Sequence, residues 1–373
     1  MNKLVIAFSI AFVASGCHSS SSASGDGGAP AGGGSNGAGS SGGGGGNGGS
    51  GGGGGSAGGG AGGGSGGGGA ARWADVRPDE YFLGLGAVGA ELWGLGGIRG
   101  TNVRHLEHRA AGGTWTDTAY PQPDPVPLQV FLPLAADNMY AISFDGRTVY
   151  HWGGSAWSVL FPADDFSFGF LAGSGGTVYL GSGANAQTWG GLRVSTDGAP
   201  FTTAIDGSGQ CRDFLGGFAG NGVAVFSNSI LNCSNSSEIG AQLWISTGGD
   251  FEPYDNPYNS HSWWAASPND IYAGWTASVA HLHDQVWNEE DLPLADRDDY
   301  VVALAGTSAQ DVWALTHHGF VCHSDGSGSF GDWSCEETTA TMPGQYHAGI
   351  ALALTAPGDP WVVLDDDRLY HRE

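Results

Sequence analysis

A motif that recurs about seven times after residue 71 constrains this chain more than any other feature. Its clearest copies run Asp270-Ile271-Tyr272-Ala273, then Leu282-His283, then Trp287, and again Asp311-Val312-Trp313-Ala314, then Cys322-His323, then Trp333. Each copy is too short to bury its own apolar faces, so the copies must stack on one another. An apolar or aromatic pair marks every copy: Leu92-Trp93, Met139-Tyr140, Val178-Tyr179, Val225-Phe226, Ile271-Tyr272, Val312-Trp313 and Trp361-Val362. Their spacing averages roughly 45 residues, the period of a four-stranded propeller blade. Before each pair comes an apolar strand built with small residues, such as Phe82-Leu83-Gly84-Leu85-Gly86 or Ile350-Ala351-Leu352-Ala353-Leu354. These are expected to be the innermost strands, where blades converge and bulky side chains do not fit. A third strand follows each pair, then an outer strand headed by Trp115, Trp157, Phe201, Phe251, Trp287 or Trp333. Asp197-Gly198 and Gly248-Gly249 sit where a hairpin needs positive φ.

The seventh copy stops at Glu373 without an outer strand, while the domain opens with Arg72-Trp73-Ala74-Asp75-Val76-Arg77-Pro78, an outer strand with nothing before it. The two pieces complete one blade, which closes the ring and removes exposed sheet edges. The expected fold is all-β, a seven-bladed β-propeller. Six or eight blades stay open because the fourth copy, with its Asn/Ser-rich stretch from Ser227 to Glu238, is degenerate.

Residues 1–16 carry Lys3 and a largely apolar run from Leu4 to Val13, too short to span a bilayer and of the kind that targets a chain for export. The run ends in Ala14-Ser15-Gly16-Cys17, which resembles the lipobox of bacterial lipoproteins, with Ala14 in place of the usual Leu. The resemblance implies cleavage before Cys17, lipidation of Cys17 and, since His18 rather than Asp follows, an outer-membrane location. An ordinary signal peptide cleaved at Ala-Ser-Gly is the alternative. From Ser19 to Ala71 the chain is nearly all Gly, Ser and Ala, and cannot bury enough apolar surface to offset ordering. A disordered tether of this length has an end-to-end distance of about 40 Å. The expected organisation is a signal peptide at 1–16, a lipidated cysteine with its tether at 17–71, and a monomeric propeller at 72–373, touching the membrane through the lipid only.

No Lys follows Lys3, and from Cys17 onward 11 Arg face 37 Asp plus Glu, a net charge of 11 − 37 = −26. That balance excludes nucleic acid as a partner and favours solubility, cationic partners or calcium. Four cysteines besides Cys17 suit disulfides in an exported chain. The pairing Cys211–Cys233 and Cys322–Cys335 keeps each bond within one copy. No CxxC or HxxxH spacing accompanies them, so no metal site is expected there.

Turns such as Ser195-Thr196-Asp197-Gly198 and Ser324-Asp325-Gly326 are similar to the Asp-box of sialidase-like propellers, and residues 72–373 resemble the blade repeats of secreted bacterial β-propellers. The likeness is one of architecture. An Asp-box folds a hairpin and brings no catalytic residue with it, and no arginine cluster, acidic pair and nucleophilic tyrosine here match the sialidase pattern.

Twelve histidines invite a metal or general-base role, but His108, His151, His283, His323 and His371 fall at one equivalent blade position, taken by Ser195 and Ser246 in two other copies. Side chains on successive blades stand about 10 Å apart and do not converge on one ion, so a structural hydrogen bond within each blade is expected. His317-His318 reads as a surface pair. Asp365-Asp366-Asp367 and Asp296-Arg297-Asp298-Asp299 carry oxygen ligands but lack a DxDxDG spacing, so calcium is an option and no cofactor is required.

One constellation survives. Propeller ligands sit over the central opening, and reading 13 or 14 residues back from each inner aromatic gives Asp79 and Glu80, Asp165, Arg212 and Asp213, Tyr258, Asp299 and Tyr300, and His347. The adjoining stretch from Tyr254 to Trp264, with His261 and Trp263, adds aromatics suited to stacking on sugar rings. The leading expectation is a binding or scaffold module for a glycan or protein ligand. The alternative is a glycoside hydrolase or lyase with Asp165 and Asp299 facing across the ring; a calcium-stabilised structural protein is a third.

Overall fold

Runs of β-branched and aromatic residues separated by Gly and Asp turns form strands throughout, and among the described residues there is no helix. The computed structural model describes residues 72–101, 104–118, 128–143, 145–162, 167–183, 190–207, 211–231, 238–255, 260–294, 298–326, 333–338 and 348–373. Seven antiparallel sheets of four strands account for them. Blades 1 to 6 each take four consecutive strands, with inner strands Glu80–Val88, Leu128–Ala135, Phe168–Ser174, Cys211–Gly220, Ser262–Ser267 and Val301–Ser308. Blade 7 takes Gly349–Leu354, Pro360–Leu364 and Leu369–Arg372 and borrows Trp73–Asp75 as its outer strand. That strand pairs Trp73↔Arg372, Ala74↔His371 and Asp75↔Tyr370, and Glu373 N donates to Arg72 O at 2.8 Å. The expected closure holds, and the degenerate fourth copy is a full blade.

Inner strands of successive blades pack on one another around the ring, with the seventh against the first. They carry more bulk than their sequence suggests. Phe82, Phe131, Trp263 and Trp264 are fully buried on them, and glycines opposite make the room. A Cβ on Gly306 would lie 2.6 Å from the Trp264 ring of the preceding blade, and one on Gly181 would lie 2.0 Å from the Phe170 ring. Small residues on these strands therefore admit neighbouring rings rather than marking a site where rings are excluded.

Antiparallel order places the start of every inner strand and the connection between second and third strands on one rim, here the upper; the other two kinds of turn lie on the lower rim. On the upper rim the blades are stitched by backbone hydrogen bonds. Loops after second strands accept the inner-strand amides of the next blade: Phe82 N to Asp367 O at 2.8 Å, Phe168 N to Gly146 O at 2.8 Å, Val301 N to Trp275 O at 2.9 Å and Gly349 N to His317 O at 3.1 Å.

The lower rim repeats one side-chain network. A third-strand histidine stacks on the second-strand aromatic directly opposite: Trp93–His108 at 4.0 Å, Tyr272–His281 at 4.1 Å, Trp313–His323 at 4.2 Å and Trp361–His371 at 3.9 Å between ring centres, with Tyr140–His151 tilted at 4.7 Å. A polar residue at or near the start of the second strand bonds that ring: Glu91 to His108 at 3.2 Å, Asn138 to His151 at 3.0 Å, Asp311 to His323 at 3.1 Å and Asp359 to His371 at 2.7 Å. The structural role expected of these histidines holds, with a correction of register. In blade 5 the stacked ring is His281, opposite Tyr272, while His283 lies two residues on, exposed, and bonds Asp270 at 2.6 Å. Equivalent positions in blades 3 and 4 are Val194 and Trp244, opposite Tyr179 and Phe226, rather than Ser195 and Ser246. At Asp311 burial alone would raise the carboxyl, but bonds from His323, Thr307 and Trp313 Nε1 outweigh it and hold it below the usual range. The same balance lowers Asp359.

Cys322 and Cys335 stand opposite one another on the third and outer strands of blade 6 and are joined by a disulfide. Cys211 is also disulfide-bonded; Cys233 lies outside the described residues, as do Cys17 and the tether. The turn after the third strand of blade 3 puts Asp197 and Gly198 at φ 51° and 74°.

Candidate functional site

Of the residues expected over the central opening, Asp165, Tyr258 and His347 lie outside the described residues. The others part company. In blade 4, Arg212 donates to Gln242 Oε1 at 2.6 Å and stands over the Trp244 ring at 4.9 Å, which commits it to its own sheet. Asp213 is half-buried, and desolvation reinforced by Glu238 pushes its carboxyl up to about 6. His261 is exposed just before the inner strand of blade 5. Trp263 is not a rim residue: it is fully buried, and its indole donates to Ser227 Oγ at 3.0 Å and Ser260 O at 3.1 Å. Trp264 is buried beside it, so two of the aromatics in the stretch expected to stack on sugar are core, while Tyr254 is exposed.

In blade 1, Asp79 is exposed and its carbonyl accepts Arg99 N at 3.0 Å. Behind it lies a cluster the sequence did not suggest. Arg77 bonds Glu80 and reaches Glu107 Oε1 at 3.2 Å, and His105 Nε2 is 2.7 Å from the same oxygen. Glu107 is fully buried opposite Gly94, beside which the Phe82 ring packs. Burial and the bond to Glu80 push Glu107 up to about 9, so it keeps its proton. Burial opposes ionisation of Glu80 too, but the Glu107 proton and Arg77 lower it. The visible signal was the run His105-Leu106-Glu107-His108 facing a second strand rich in glycine, which only pairing brings together.

Blades 6 and 7 form the densest part of the rim. Asp299 is buried at 1% exposure; its Oδ1 accepts Tyr300 N at 2.8 Å and His318 N at 3.0 Å. Tyr300 stacks on His317 at 4.6 Å, and His317 N donates to Tyr300 O at 2.8 Å. His317 and His318 are half-buried, not the surface pair expected. Burial, then the neighbouring His318, lowers His317 and keeps it neutral. The next blade continues with Asp365, Asp366 and Asp367. Arg99 from blade 1 donates to Asp366 O at 2.7 Å, Tyr370 Oη to Asp366 Oδ2 at 2.7 Å, and Arg368 to Asp75 at 3.1 Å. Burial and the two adjacent aspartates raise Asp367, against the pull of Arg99. The result is an acidic arc from Asp298 to Asp367 with Tyr300, Tyr370 and two imidazoles set into it.

Among the described residues Arg99 and Arg368 bond within it, and Arg297 lies outside the described residues. Arg77, Arg109, Arg193, Arg212 and Arg372 each stand over an aromatic ring within 5.4 Å. Three sets of donors lie close enough to share an ion, with ligand atoms within 4.8 Å of one another: Asp270, His281 and His283; Glu80, His105 and Glu107; and Asp299, His317 and His318.

No protein-family model and no curated protein matches the sequence. Solved structures match by fold. The chain is similar to YCF48 from Cyanidioschyzon merolae, at 12% identity over 81% of this chain and 98% of that one, with a TM-score of 0.55. YCF48 solved with a D1 peptide gives 13% identity, 81% and 96% coverage and a TM-score of 0.55. The extracellular domain of BT4673 from B. thetaiotaomicron gives 13% identity, 81% and 39% coverage and a TM-score of 0.54. At such identities the shared property is the propeller fold.

Proposed function

We propose that this chain is a non-catalytic binding module whose upper rim takes a basic segment of a protein partner, displayed from the cell envelope by a lipid on Cys17 and the Gly/Ser-rich tether. The observation that carries the reading is the acidic arc of blades 6 and 7, with Asp298 and Asp365 exposed at its surface, in a chain of which Arg77, Arg109, Arg193, Arg212, Arg368 and Arg372 stand over rings or bond carboxylates. Such a field attracts cationic groups and repels phosphate. A related fold, YCF48, has been solved with a peptide bound, which gives a propeller of this kind a peptide-binding precedent. The glycan reading loses two of its aromatics, Trp263 and Trp264, to the core. The hydrolase or lyase reading loses its exposed carboxylate, because Asp299 is buried and bound to two backbone amides.

Fluorescence anisotropy with an arginine-rich and a glutamate-rich peptide of equal length tests the reading on the purified chain. Binding of the basic peptide alone, weakened by salt and by the double change Asp298→Asn and Asp365→Asn, is expected. Equal binding of both peptides, or insensitivity to the double change, rejects it.

A further inference from the structure

We propose that Asp299, His317 and His318 form a binding site for a divalent first-row transition-metal ion, with zinc the ion whose ligand preferences they match. Two imidazoles and one carboxylate are a donor set typical of zinc, whereas calcium takes oxygen alone. The site is independent of the peptide reading.

Three observations support it. First, Asp299 is a fully buried carboxylate with one oxygen satisfied twice and the other not at all: Oδ2 has no hydrogen-bond donor. An orphaned buried carboxylate oxygen is costly, and His318 Nδ1 stands 3.9 Å from it. That separation is too long for a hydrogen bond. It exceeds only slightly the spacing of about 3.3 Å between two atoms that share a tetrahedral ion at ligand distances near 2 Å. Second, the histidines are already oriented. The Tyr300 ring holds His317 from one side, and the backbone of both histidines is fixed by bonds from His317 N to Tyr300 O and from His318 N to Asp299 Oδ1. Third, the surroundings favour a cation. Asp298 immediately precedes Asp299, and Asp365 of the next blade is close enough to act electrostatically on His317.

The two other donor sets differ in instructive ways. Glu80, His105 and Glu107 hold Arg77 among them, a fixed positive charge where an ion would sit. Asp270, His281 and His283 are a variant of the network repeated around the lower rim, their nitrogens already bonded to Asp270. Asp299 differs from Asp270 in keeping one buried carboxylate oxygen without a hydrogen-bond donor, and from Glu80 and Glu107 in having no described arginine bonded to it.

Equilibrium dialysis of the full chain against micromolar Zn2+, with total metal analysis, and Co2+ substitution read by visible absorption form the test. A single bound ion is expected, with a d–d spectrum of low coordination number and a thermal midpoint raised by zinc and lowered again by chelator. Uptake and spectrum should be lost in His318→Ala and in His317→Phe, whose ring can still stack on Tyr300. Asp299→Asn keeps an acceptor for the two amides and guards against loss of folding. The control His283→Ala should leave uptake unchanged. Uptake that survives both histidine changes, uptake lost in His283→Ala alone, a preference for Ca2+ over Zn2+, or no uptake at all overturns the proposal.

Discussion

The two rims of this propeller are built from the same residue types and use them in opposite ways. On the lower rim a third-strand histidine recurs in five of the seven blades, bonded to an acid or, in blade 2, to Asn138, and laid against the facing aromatic. On the upper rim the acids and histidines are irregular: a carboxyl pair in blade 1, a half-buried aspartate in blade 4, a carboxylate with two imidazoles in blade 6 and an acidic turn in blade 7. Repetition marks side chains that hold the blade together, because every blade faces the same packing problem. Departure from the repeat marks the groups left for other work.

The largest test of that contrast removes one acid from each rim. Asp311→Ala strips the acceptor from His323 and from the buried Trp313 indole, and is expected to cost about 2–3 kcal/mol, read by chemical denaturation. Asp298→Asn, on the exposed upper rim, is expected to stay within about 0.5 kcal/mol of the parent. Similar losses from the two changes would break the distinction between the rims.

The rims should also respond to pH in opposite directions. Asp311 and Asp359 are held below their ordinary range in the folded protein, so the stability they contribute is present above the unfolded value and is lost as acid titrates them. Glu107 is raised from 4.5 to about 9, so its contribution is full below about 4.5 and is lost as pH climbs through about 9. Melting curves across this range should show an alkaline decline that Glu107→Gln flattens while leaving the acid limb unchanged. An unaltered alkaline limb would remove Glu107 as its source.

The smallest effect sharpens the register of blade 5. His281→Ala removes a stacked, half-buried ring and should cost about 1 kcal/mol more than His283→Ala, whose ring is exposed. The reverse order would restore His283 to the repeat position.

Much of the architecture was legible without coordinates. Aromatic pairs set the period, the unpaired Trp73 strand and the missing outer strand near Glu373 implied closure, and the placement of Cys322 and Cys335 within one copy implied their bond. The site was less legible, because residue type alone does not say which way a ring points. Trp263 read as a rim aromatic from its neighbours Tyr254 and His261, yet it begins an inner strand, and alternation turns it between blades. Glu107 sits on a third strand amid polar residues, and only the fold brings Arg77, Glu80 and His105 around it.

By itself the sequence determined that this chain repeats, that its copies are antiparallel sheets, that they close through the first strand, and that the surface is acidic, since period, alternation and charge are properties of the chain. Tertiary structure alone decided which histidines are spent within blades and which face a buried carboxylate. That depends on strand register and on contacts between Asp299 and residues nineteen positions away, and sequence spacing does not encode such distances until the sheet is folded.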